Sequence, residues 1–436
     1  MAWQVPLALM VGLVLVTMGI GLPVAFAFLL TNIVCIYLYF GGATGVEQMV
    51  ANFPAAVGVY ALTPMPLFLI MGSLFFRSGL AEGVFKALDL CIGNLRARLS
   101  YLVVLAGAVF AALSGSSLAN TAMMGTAMVP EMLKRGYKPH MAFGPVLGAG
   151  GLAVIIPPSA LAVLIGSLAQ IDVGALLIAG VVPGLLLMVF YLVLITLQVK
   201  LDPECAPQYA APRVTWGERL RALAANVLPM GVIIFMVVGT ILMGIASPTE
   251  SAALGCVGVV ILLLAYRRFR LEIVWKSLED AMKVTGMTFL IISASSTFAQ
   301  VLAFTGASAG FIQWALSFDL GTYAVMAVIV GIVFLMGMFM DQVSMMLITL
   351  PIFMPLAASL NLDKVWFGLI LLLLFEVGFT TPPFGMLLFI MLGIAPKGTT
   401  LKTVSLAAAP YIACTMLLIG LIIVLPCIAL WLPRML

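Results

Sequence analysis

The chain has 436 residues, of which 64% are hydrophobic and only 8% carry a charge. Apolar runs of about 20 residues recur from end to end, which excludes a soluble globular domain. Lipid offers the backbone no hydrogen-bond partner, and these runs are too long for barrel strands of about ten residues, so they predict an all-α, polytopic membrane protein. The net charge of +4 has no basic tract behind it, which favours membrane topology over a nucleic-acid partner as its origin.

Two features of the chain favour a plain membrane protein without disulfides or processing. The six cysteines are scattered with no C-x-x-C pair, so we interpret them as packing residues. The first residues, MAWQVPLALM, show neither a basic region nor a cleavage site of small residues, so the first apolar run is expected to be a retained helix.

Ten apolar segments are expected to cross the membrane, and two pairs of shorter segments are not. The expected crossings are 5–20, 24–40, 60–77, 141–170, 174–198, 226–246, 249–266, 284–304, 365–394 and 403–432. The pairs 100–113 with 118–132 and 322–339 with 343–357 are each interpreted as a re-entrant hairpin, which enters and leaves the membrane on one side.

The distribution of lysine and arginine supports this topology. With the N-terminus outside and both pairs as hairpins, 18 of the 20 basic residues lie inside, and only Lys364 and Arg434 lie outside. Cytoplasmic loops concentrate these residues. We therefore expect both termini outside, the first hairpin opening to the cytoplasm and the second opening outward.

The two halves of the chain share an internal repeat. MGIGLPVAFA, from Met18, and MGIASPTESA, from Met243, agree at five positions with an offset of 225, which also maps Pro130 onto Pro355 and the pair 157–158 onto 382–383. Four of the 13 prolines that have a position 225 further on match a proline, against roughly one expected by chance. Five crossings in each half make this an inverted repeat, which is typical of secondary transporters.

The stretch LSGSSLANT at the first hairpin tip is polar inside an apolar region. Gly115 permits a tight turn, and the neutral oxygens near it suit a small cation such as Na⁺. They are contributed by Ser114, Ser116, Ser117, Asn120 and Thr121. The amides at the start of the second helix are equally suited to an anion, and small residues also simply allow close helix packing.

The second tip, MGMFMDQVSMM, places Asp341 at the position of Ser116. A carboxylate in an apolar run is costly and usually marks an ion pathway, although it also serves as a helix cap. One aspartate can be an ion ligand and a helix cap at the same time.

The segments IIPPSALAV and FTTPPFGML interrupt two crossings at equivalent points. A pair of prolines removes amide donors and frees the preceding carbonyls, so each segment is either a binding site or a kink. Thr380 and Thr381 lead into the second break. Glu376 is either an ion ligand or a structural partner, and the residues do not decide between them.

The sequence gives little support for an enzymatic active site, for a metal site other than one for Na⁺, or for a phosphate site. SGSS and the lone His140 do not form a G-x-S-x-G nucleophile motif, and no metal-ligand cluster or phosphate loop is present. Residues 80–98 and 306–320 are short and amphipathic, so we expect helices along the membrane plane.

Five ordered motifs carry a family resemblance over essentially the whole chain. They are LSGSSLANTAMMGTAMVPEMLKRGY, IIPPSALAVLIG, GIASPTESAALG, GMFMDQVSMMLITLPIFMP and EVGFTTPPFGMLLF. The chain resembles the large, DctM-like membrane subunit of tripartite ATP-independent periplasmic (TRAP) transporters. The resemblance implies a sodium-driven importer of the bacterial inner membrane with an elevator mechanism and two or more Na⁺ ions. It also implies a small four-helix, DctQ-like membrane subunit and a periplasmic, DctP-like binding protein that delivers a carboxylate.

The resemblance also implies a division of the chain. Residues 1–225 form the first repeat, with 1–60 in the scaffold and 99–172 as the hairpin and broken helix of the transport domain. Residues 226–436 form the second, with 226–283 in the scaffold and 321–396 in the transport domain.

Carried over onto this sequence, the family's sodium ligands fall at the hairpin tips and the breaks, and its substrate ligands fall beside them. The implied sodium ligands are Ser114, Gly115, Ser116, Asn120, Asp341, Gly378, Thr380 and Thr381. The implied substrate ligands are Ser117, Thr121, Pro157 and Ser159. Gln342 departs from the proline that often follows the aspartate in this family. No arginine or lysine within the membrane is expected to clamp a carboxylate.

The sequence therefore predicts the permease subunit of a sodium-coupled importer of small carboxylates, and no enzyme. Dicarboxylate, sugar acid and keto acid all remain open as the substrate. The alternatives are a stand-alone sodium–anion symporter of the same superfamily, a channel and an intramembrane enzyme.

Overall fold

The computed structural model of the chain describes residues 3–208, 215–318, 321–383 and 385–435. Within these ranges all regular structure is helical and no strand occurs, which confirms the all-α prediction. Arg213, the last two residues of the predicted segment 306–320, and Phe384 of the second break motif lie outside the described ranges.

The described residues before position 208 form ten helices, of which α10 joins two shorter helical pieces into one apolar stretch. They are α1 (Gln4–Gly19), α2 (Val24–Tyr39), α3 (Ala43–Val57), α4 (Pro64–Arg77), α5 (Leu80–Ile92), α6 (Arg98–Ser114), α7 (Ser117–Lys134), α8 (Pro139–Ile155), α9 (Ala160–Leu168) and α10 (Val173–Leu201).

The described residues after position 215 form ten more. They are α11 (Trp216–Leu242), α12 (Pro248–Ala265), α13 (Leu271–Phe304), α14 (Ala307–Leu316), α15 (Thr322–Gly337), α16 (Gln342–Ser359), α17 (Lys364–Thr380), α18 (Met386–Ile394), α19 (Leu401–Val424) and α20 (Cys427–Leu430). Short 3₁₀ turns at Tyr60–Leu62, Pro203–Cys205 and Pro433–Met435 complete the described regular structure.

Most helix bounds follow the predicted apolar segments. The two predicted hairpins are the helix pairs α6 with α7 and α15 with α16, and the two amphipathic segments contain α5 and α14. Helix α3 was not predicted, because ATGVEQMVANFPAAV has no continuous apolar run. The last predicted crossing, 403–432, instead ends at Val424, since Pro426 lacks the amide that would continue the helix.

By length and apolar composition, six described helices are able to cross a membrane on their own, namely α10, α11, α12, α13, α16 and α19. Two further pairs qualify if each bent pair is one span: α4 with α5, bent by 70°, and α8 with α9, bent by 43°. The protein is therefore a multi-pass helical membrane protein. The predicted set of ten crossings with two hairpins stays a prediction.

Two helices form the centre of the molecule. Every residue of α8 from 141 to 155 and every residue of α17 from 366 to 380 is buried. Helix α8 packs against α6, α7 and α19, and α17 packs against α15, α16 and α19. Each central helix is thus enclosed by the hairpin of its own half. Peripheral helices instead expose apolar side chains such as Phe235 and Val257, as a lipid-facing surface requires.

Glycine permits a close contact between the backbones of α15 and α17. A Cβ atom built on Gly337 would lie only 2.3 Å from the Cα atom of Gly378. The two backbones therefore touch directly just before the second hairpin tip and the second break.

Candidate functional site

The tip of the first hairpin lies against the break between α8 and α9. Gly115 has a left-handed φ of +58°, and its carbonyl accepts a hydrogen bond from the amide of Ala160 at 3.3 Å. A Cβ atom on Gly115 would lie 2.9 Å from the carbonyl oxygen of Pro158. Turn geometry and close approach therefore both require glycine at this position.

Two helices begin at this junction, and a serine hydroxyl caps each of them. Ser116 Oγ accepts from the amide of Ala119 at 3.4 Å, and Ser159 Oγ accepts from the amide of Ala162 at 3.1 Å. The remaining free amides of both first turns carry partial positive charge. The predicted sodium residue Ser116 and the predicted substrate residue Ser159 thus meet at one site, with Pro157 buried in the break beside them.

Asn120 and Thr121 each present a buried oxygen next to this junction. Asn120 Nδ2 donates to the carbonyls of Gly107 at 3.2 Å and Ala149 at 2.8 Å, which ties α7 to α6 and α8. Asn120 Oδ1 and Thr121 Oγ1 are buried and accept no hydrogen bond from any described residue. A buried oxygen without a donor is costly, so both atoms are suited to a ligand.

At the second tip, Asp341 caps α16. Its Oδ2 accepts from the amides of Val343 at 3.0 Å and Ser344 at 3.3 Å, and the Ser344 hydroxyl donates to Oδ1. The helix cap that the sequence offered as an alternative role of Asp341 is therefore present. Part of the hydrogen-bond acceptor capacity of the carboxylate is used by this cap.

The two threonines at the second break each bond a carbonyl group in the preceding turn of α17. The hydroxyl groups of Thr380 and Thr381 donate to the carbonyl of Val377 at 3.0 and 2.6 Å. Their lone pairs stay available as acceptors. Gly378 contacts Gly337 and contributes only backbone atoms. The peptide bonds between Pro157 and Pro158 and between Pro382 and Pro383 are both cis.

Glu376 joins the two hairpins. Its Oε2 accepts from Ser117 Oγ at 2.9 Å and from Gln342 Nε2 at 2.5 Å. Ser117 is the first residue of α7 and Gln342 the first residue of α16. The sequence left the role of Glu376 open, and Gln342, which departs from the family pattern, is one of its two donors.

A cavity of 480 Å³ opens beside the first tip, and it contains a residue that the sequence analysis missed. Ser114 and Ser116 line it together with Ser73, Arg77 and Asp280. Asp280 Oδ2 accepts from Arg77 Nε at 2.8 Å, from Arg77 Nη2 at 2.6 Å and from Ser73 Oγ at 3.1 Å. A guanidinium group thus lies in the same cavity as the predicted ligands, where it is paired with Asp280. The expectation that no arginine clamps a carboxylate stays a prediction. Arg77 lies 37 residues before Ser114, and no sequence pattern links the two.

A second cavity, of 700 Å³, lies at the other end of the α4–α13 pair. It is lined by polar residues that include Asn52, Gln170, Ser295 and Gln300. The first cavity touches α13 at residues 280–284, and the second touches it at residues 292–303. The stretch of α13 between them, which lines neither cavity, measures about 12 Å along the helix.

Comparison with known proteins identifies the family to which the chain belongs. Residues 11–428 match the family described as the tripartite ATP-independent periplasmic transporter, DctM component. The C4-dicarboxylate TRAP transporter large permease protein DctM of Pseudomonas aeruginosa is 33% identical over 86% of each chain. The ectoine TRAP transporter large permease protein TeaC of Halomonas elongata is 27% identical over 98% of this chain and 97% of its own.

A solved structure supports the fold independently. The crystal structure of the Alcanivorax borkumensis YdaH transporter matches 90% of each chain with a TM-score of 0.59 and 14% identity. At that identity the likeness concerns the fold alone. The relatives are transporter permease subunits rather than enzymes. From the family match over most of its length, this chain belongs to the DctM family, the large multi-pass permease subunits of bacterial TRAP transporters.

Proposed function

We propose that this chain is the permease subunit of a sodium-coupled, binding-protein-dependent importer of small carboxylates across the bacterial inner membrane. The observation that carries the proposal is the set of buried oxygens at the first tip, Asn120 Oδ1 and Thr121 Oγ1, which accept no hydrogen bond from a described residue. Neutral hard oxygens are suited to Na⁺. The coupling energy would come from ion binding that closes the tip onto the break.

The charge around the first tip supports a carboxylate substrate. The first turns of α7 and α9 present amide groups at Gly115, and such helix starts bind anions. Arg77, in its ion pair with Asp280, lines the cavity that reaches this tip. A substrate carboxylate held by Thr121 and Ser159 would leave through this cavity past the guanidinium group, while the single hydroxyl hydrogen of Ser117 is donated to Glu376. Relatives named for C4-dicarboxylates and for ectoine do not select one substrate for this chain.

An inverted repeat explains how one chain provides two such tips. Adding 225 to the bounds of α7 and α8 gives 342–359 and 364–380, which are the bounds of α16 and α17. The same offset relates the buried runs 141–155 and 366–380. These agreements support the repeats 1–225 and 226–436, of which the second is upside down in the membrane.

We further propose that the hairpins and broken helices, 99–172 and 321–396, move as one transport domain against a scaffold that contains 1–60 and 226–283. Two cavities at opposite ends of the α4–α13 pair support this division. A domain that shifts along α13 would connect the tips with one cavity and then with the other, which is an elevator mechanism.

The tripartite family description supports two partners, a small membrane subunit and a periplasmic binding protein. The distribution of the basic residues supports a topology with both termini of this chain on the periplasmic side of the inner membrane. The binding protein would then meet the side on which the 700 Å³ cavity opens, since Lys364 and Gln170 lie at the same end in this topology.

Uptake into proteoliposomes tests the proposal. This chain with its small-subunit partner would be supplied with labelled succinate, gluconate or pyruvate, under an inward gradient of Na⁺ or of K⁺, with and without the binding protein. We expect uptake of at least one of these acids that requires Na⁺ and the binding protein together. Equal uptake with K⁺ would contradict sodium coupling. Uptake without the binding protein would instead favour the stand-alone symporter.

A further inference from the structure

The buried carboxylate Glu376 has no cationic partner among the described residues. It is 5% exposed, and it takes part in none of the six described ion pairs. Its two donors, Ser117 and Gln342, are neutral and both bind Oε2. A carboxylate within a membrane protein that lacks a counter-charge is expensive and is usually functional.

The second oxygen of this carboxylate is available for a ligand. Glu376 Oε1 is buried and accepts no hydrogen bond from a described residue. On that side lies Gly151 of α8, where a Cβ atom would be 3.2 Å from Oε1. Because the residue there is glycine, the space beside Oε1 stays open.

A cavity of 20 Å³ adjoins the carboxylate, which is room for one water-sized particle. Its polar lining comes from four helices: Glu376 and Thr380 of α17, Gly151 of α8, Tyr191 of α10, and Tyr411 and Thr415 of α19. Among the described residues, no lysine, arginine or histidine lines it.

The hydroxyl groups that line this cavity differ in whether they have a hydrogen-bond partner. The Tyr191 and Thr415 hydroxyls bond each other at 3.0 Å, and Thr415 also donates to the carbonyl of Tyr411. The Tyr411 hydroxyl, by contrast, is buried and has no partner among the described residues. Gly148 keeps this ring close to α8, since a Cβ atom there would lie 2.4 Å from Tyr411 Cδ1. Glu376 and Tyr411, each with one unpartnered buried oxygen, thus line the same small cavity.

We propose that Glu376 Oε1 and the Tyr411 hydroxyl bind one Na⁺ ion in this cavity, in addition to the ions proposed at the hairpin tips. Hard cations prefer oxygen ligands, and the single carboxylate balances one positive charge. No group of three His, Cys, Asp or Glu side chains within the described residues offers a site for a transition metal. Of the sodium ligands predicted from the sequence, only Thr380 lines this cavity.

The position of the site gives the ion a specific role, and this role rests on the proposed function. The other oxygen of the same carboxylate holds the first residues of α7 and α16. An ion on Oε1 would stabilise the charged form of Glu376, which is the better acceptor for both donors. Ion binding would thereby fasten the two hairpins to each other and to α17.

Sodium-dependent thermal stability of the chain in complex with its small subunit tests the site. Melting temperatures would be measured across a NaCl series at constant ionic strength, with choline chloride as the balance. The slope of stability against the logarithm of Na⁺ concentration reports the number of ions bound. We expect Glu376→Gln, which keeps the size and polarity of the side chain, to lower that number by about one.

Two milder variants keep the test independent of folding defects in Glu376→Gln. Tyr411→Phe removes only the proposed hydroxyl ligand, and Gly151→Ala narrows the space beside Oε1. Both should shift the Na⁺ dependence to higher concentrations. Tyr101→Phe is the matched control, because Tyr101 bonds Thr196 at 2.9 Å and does not line the cavity. It should keep the wild-type dependence.

The outcomes separate this site from the proposed function. Asp341→Asn, at the hairpin tip, should reduce the Na⁺ response and leave the contribution of Glu376 in place, so the double variant should lose more than either single variant. A Glu376→Gln protein with the wild-type Na⁺ slope would overturn the site, and the carboxyl would then be a protonated structural group. Sodium-independent uptake with an intact Glu376-dependent slope would overturn the transport proposal alone.

Discussion

The first hairpin tip caps its second helix with a hydroxyl group, and the second tip does so with a carboxylate. Ser116 Oγ accepts one amide hydrogen at the first tip, whereas Asp341 Oδ2 accepts two at the second. The same contrast recurs in the central helices. Gly151 and Glu376 are each the thirteenth residue of a 17-residue helix, and only the second carries a charge. Both carboxylates of the tip regions therefore lie in the second half.

The closeness of helix packing also differs between the two halves, at the residues just before the hairpin tips and the breaks. Gly337 and Gly378 touch through their backbones, and the residues 225 positions earlier are Ala112 and Ala153, both buried. The second half thus combines the closer helix contact with the negative charge. Similar backbones in the two halves can therefore serve different functions. We expect the second half to dominate cation affinity and the first half to present amides and hydroxyls to the substrate.

The largest expected effect is on the close contact of the second half. Gly337→Ala places a methyl group about where the Gly378 backbone lies, and such overpacking typically costs about 1–3 kcal/mol. Gly331→Ala is the matched control, because Gly331 lies in the same helix and no described residue comes within 4 Å of its Cβ position. Melting of the purified complex should separate the two variants. Equal melting temperatures would mean that α15 and α17 can move apart freely.

The charge of the second tip is the next target. Asp341→Asn retains a capping side chain but removes the negative charge. We expect the Na⁺ concentration for half-maximal uptake to rise by about tenfold, which corresponds to about 1.4 kcal/mol. Unchanged Na⁺ dependence would show that Asp341 is a cap and nothing more.

A smaller effect is expected at the first tip. Ser116→Ala removes a helix cap at a typical cost of about 1 kcal/mol in stability. Because a neutral oxygen contributes less than a charged one, its shift in Na⁺ dependence should be smaller than that of Asp341→Asn. Ser116→Thr keeps the hydroxyl and should restore the melting temperature. A shift as large as that of Asp341→Asn would contradict the division of charge between the halves.

The smallest effect is expected outside both tips, at the exposed ion pair of Lys138 and Asp202. The hydrogen bond from Lys138 is the main cause that lowers the pKa of the Asp202 carboxyl below its ordinary value. The stabilisation is therefore complete above the ordinary pKa of aspartate and is lost as the pH falls through the lowered one. Asp202→Asn should melt slightly below wild type at pH 7 and equal it near pH 3, if melting remains reversible there. Its Na⁺ dependence should match that of wild type throughout.

Local patterns predicted the helices of the tip regions well. The apolar segment 118–132 became Ser117–Lys134, and the paired prolines end α8 and α17 where expected, because helix interruption depends on residues close in the chain. The helix cap at Asp341, which the sequence offered as one of two roles, was equally local. These features required no knowledge of how the helices pack.

Contacts between distant residues were beyond the sequence. Arg77 reaches the first tip only because α4 packs beside α6 and α13. Glu376 meets Ser117 from 259 positions away, and neither composition nor spacing indicated that its partners would come from both hairpins. Helix α3 was missed for a different reason, since its polar residues hide an amphipathic helix from a search for apolar runs.

The complete burial of residues 141–155 and 366–380 has a consequence for the surrounding lipid. Each run spans about 22 Å, most of the hydrocarbon thickness of a bilayer, without presenting a face to it. Bilayer thickness and headgroup composition can therefore act on these central helices only through the outer ones. A change of lipid should alter how fast the protein turns over, while the affinity of the buried sites for their ions stays the same.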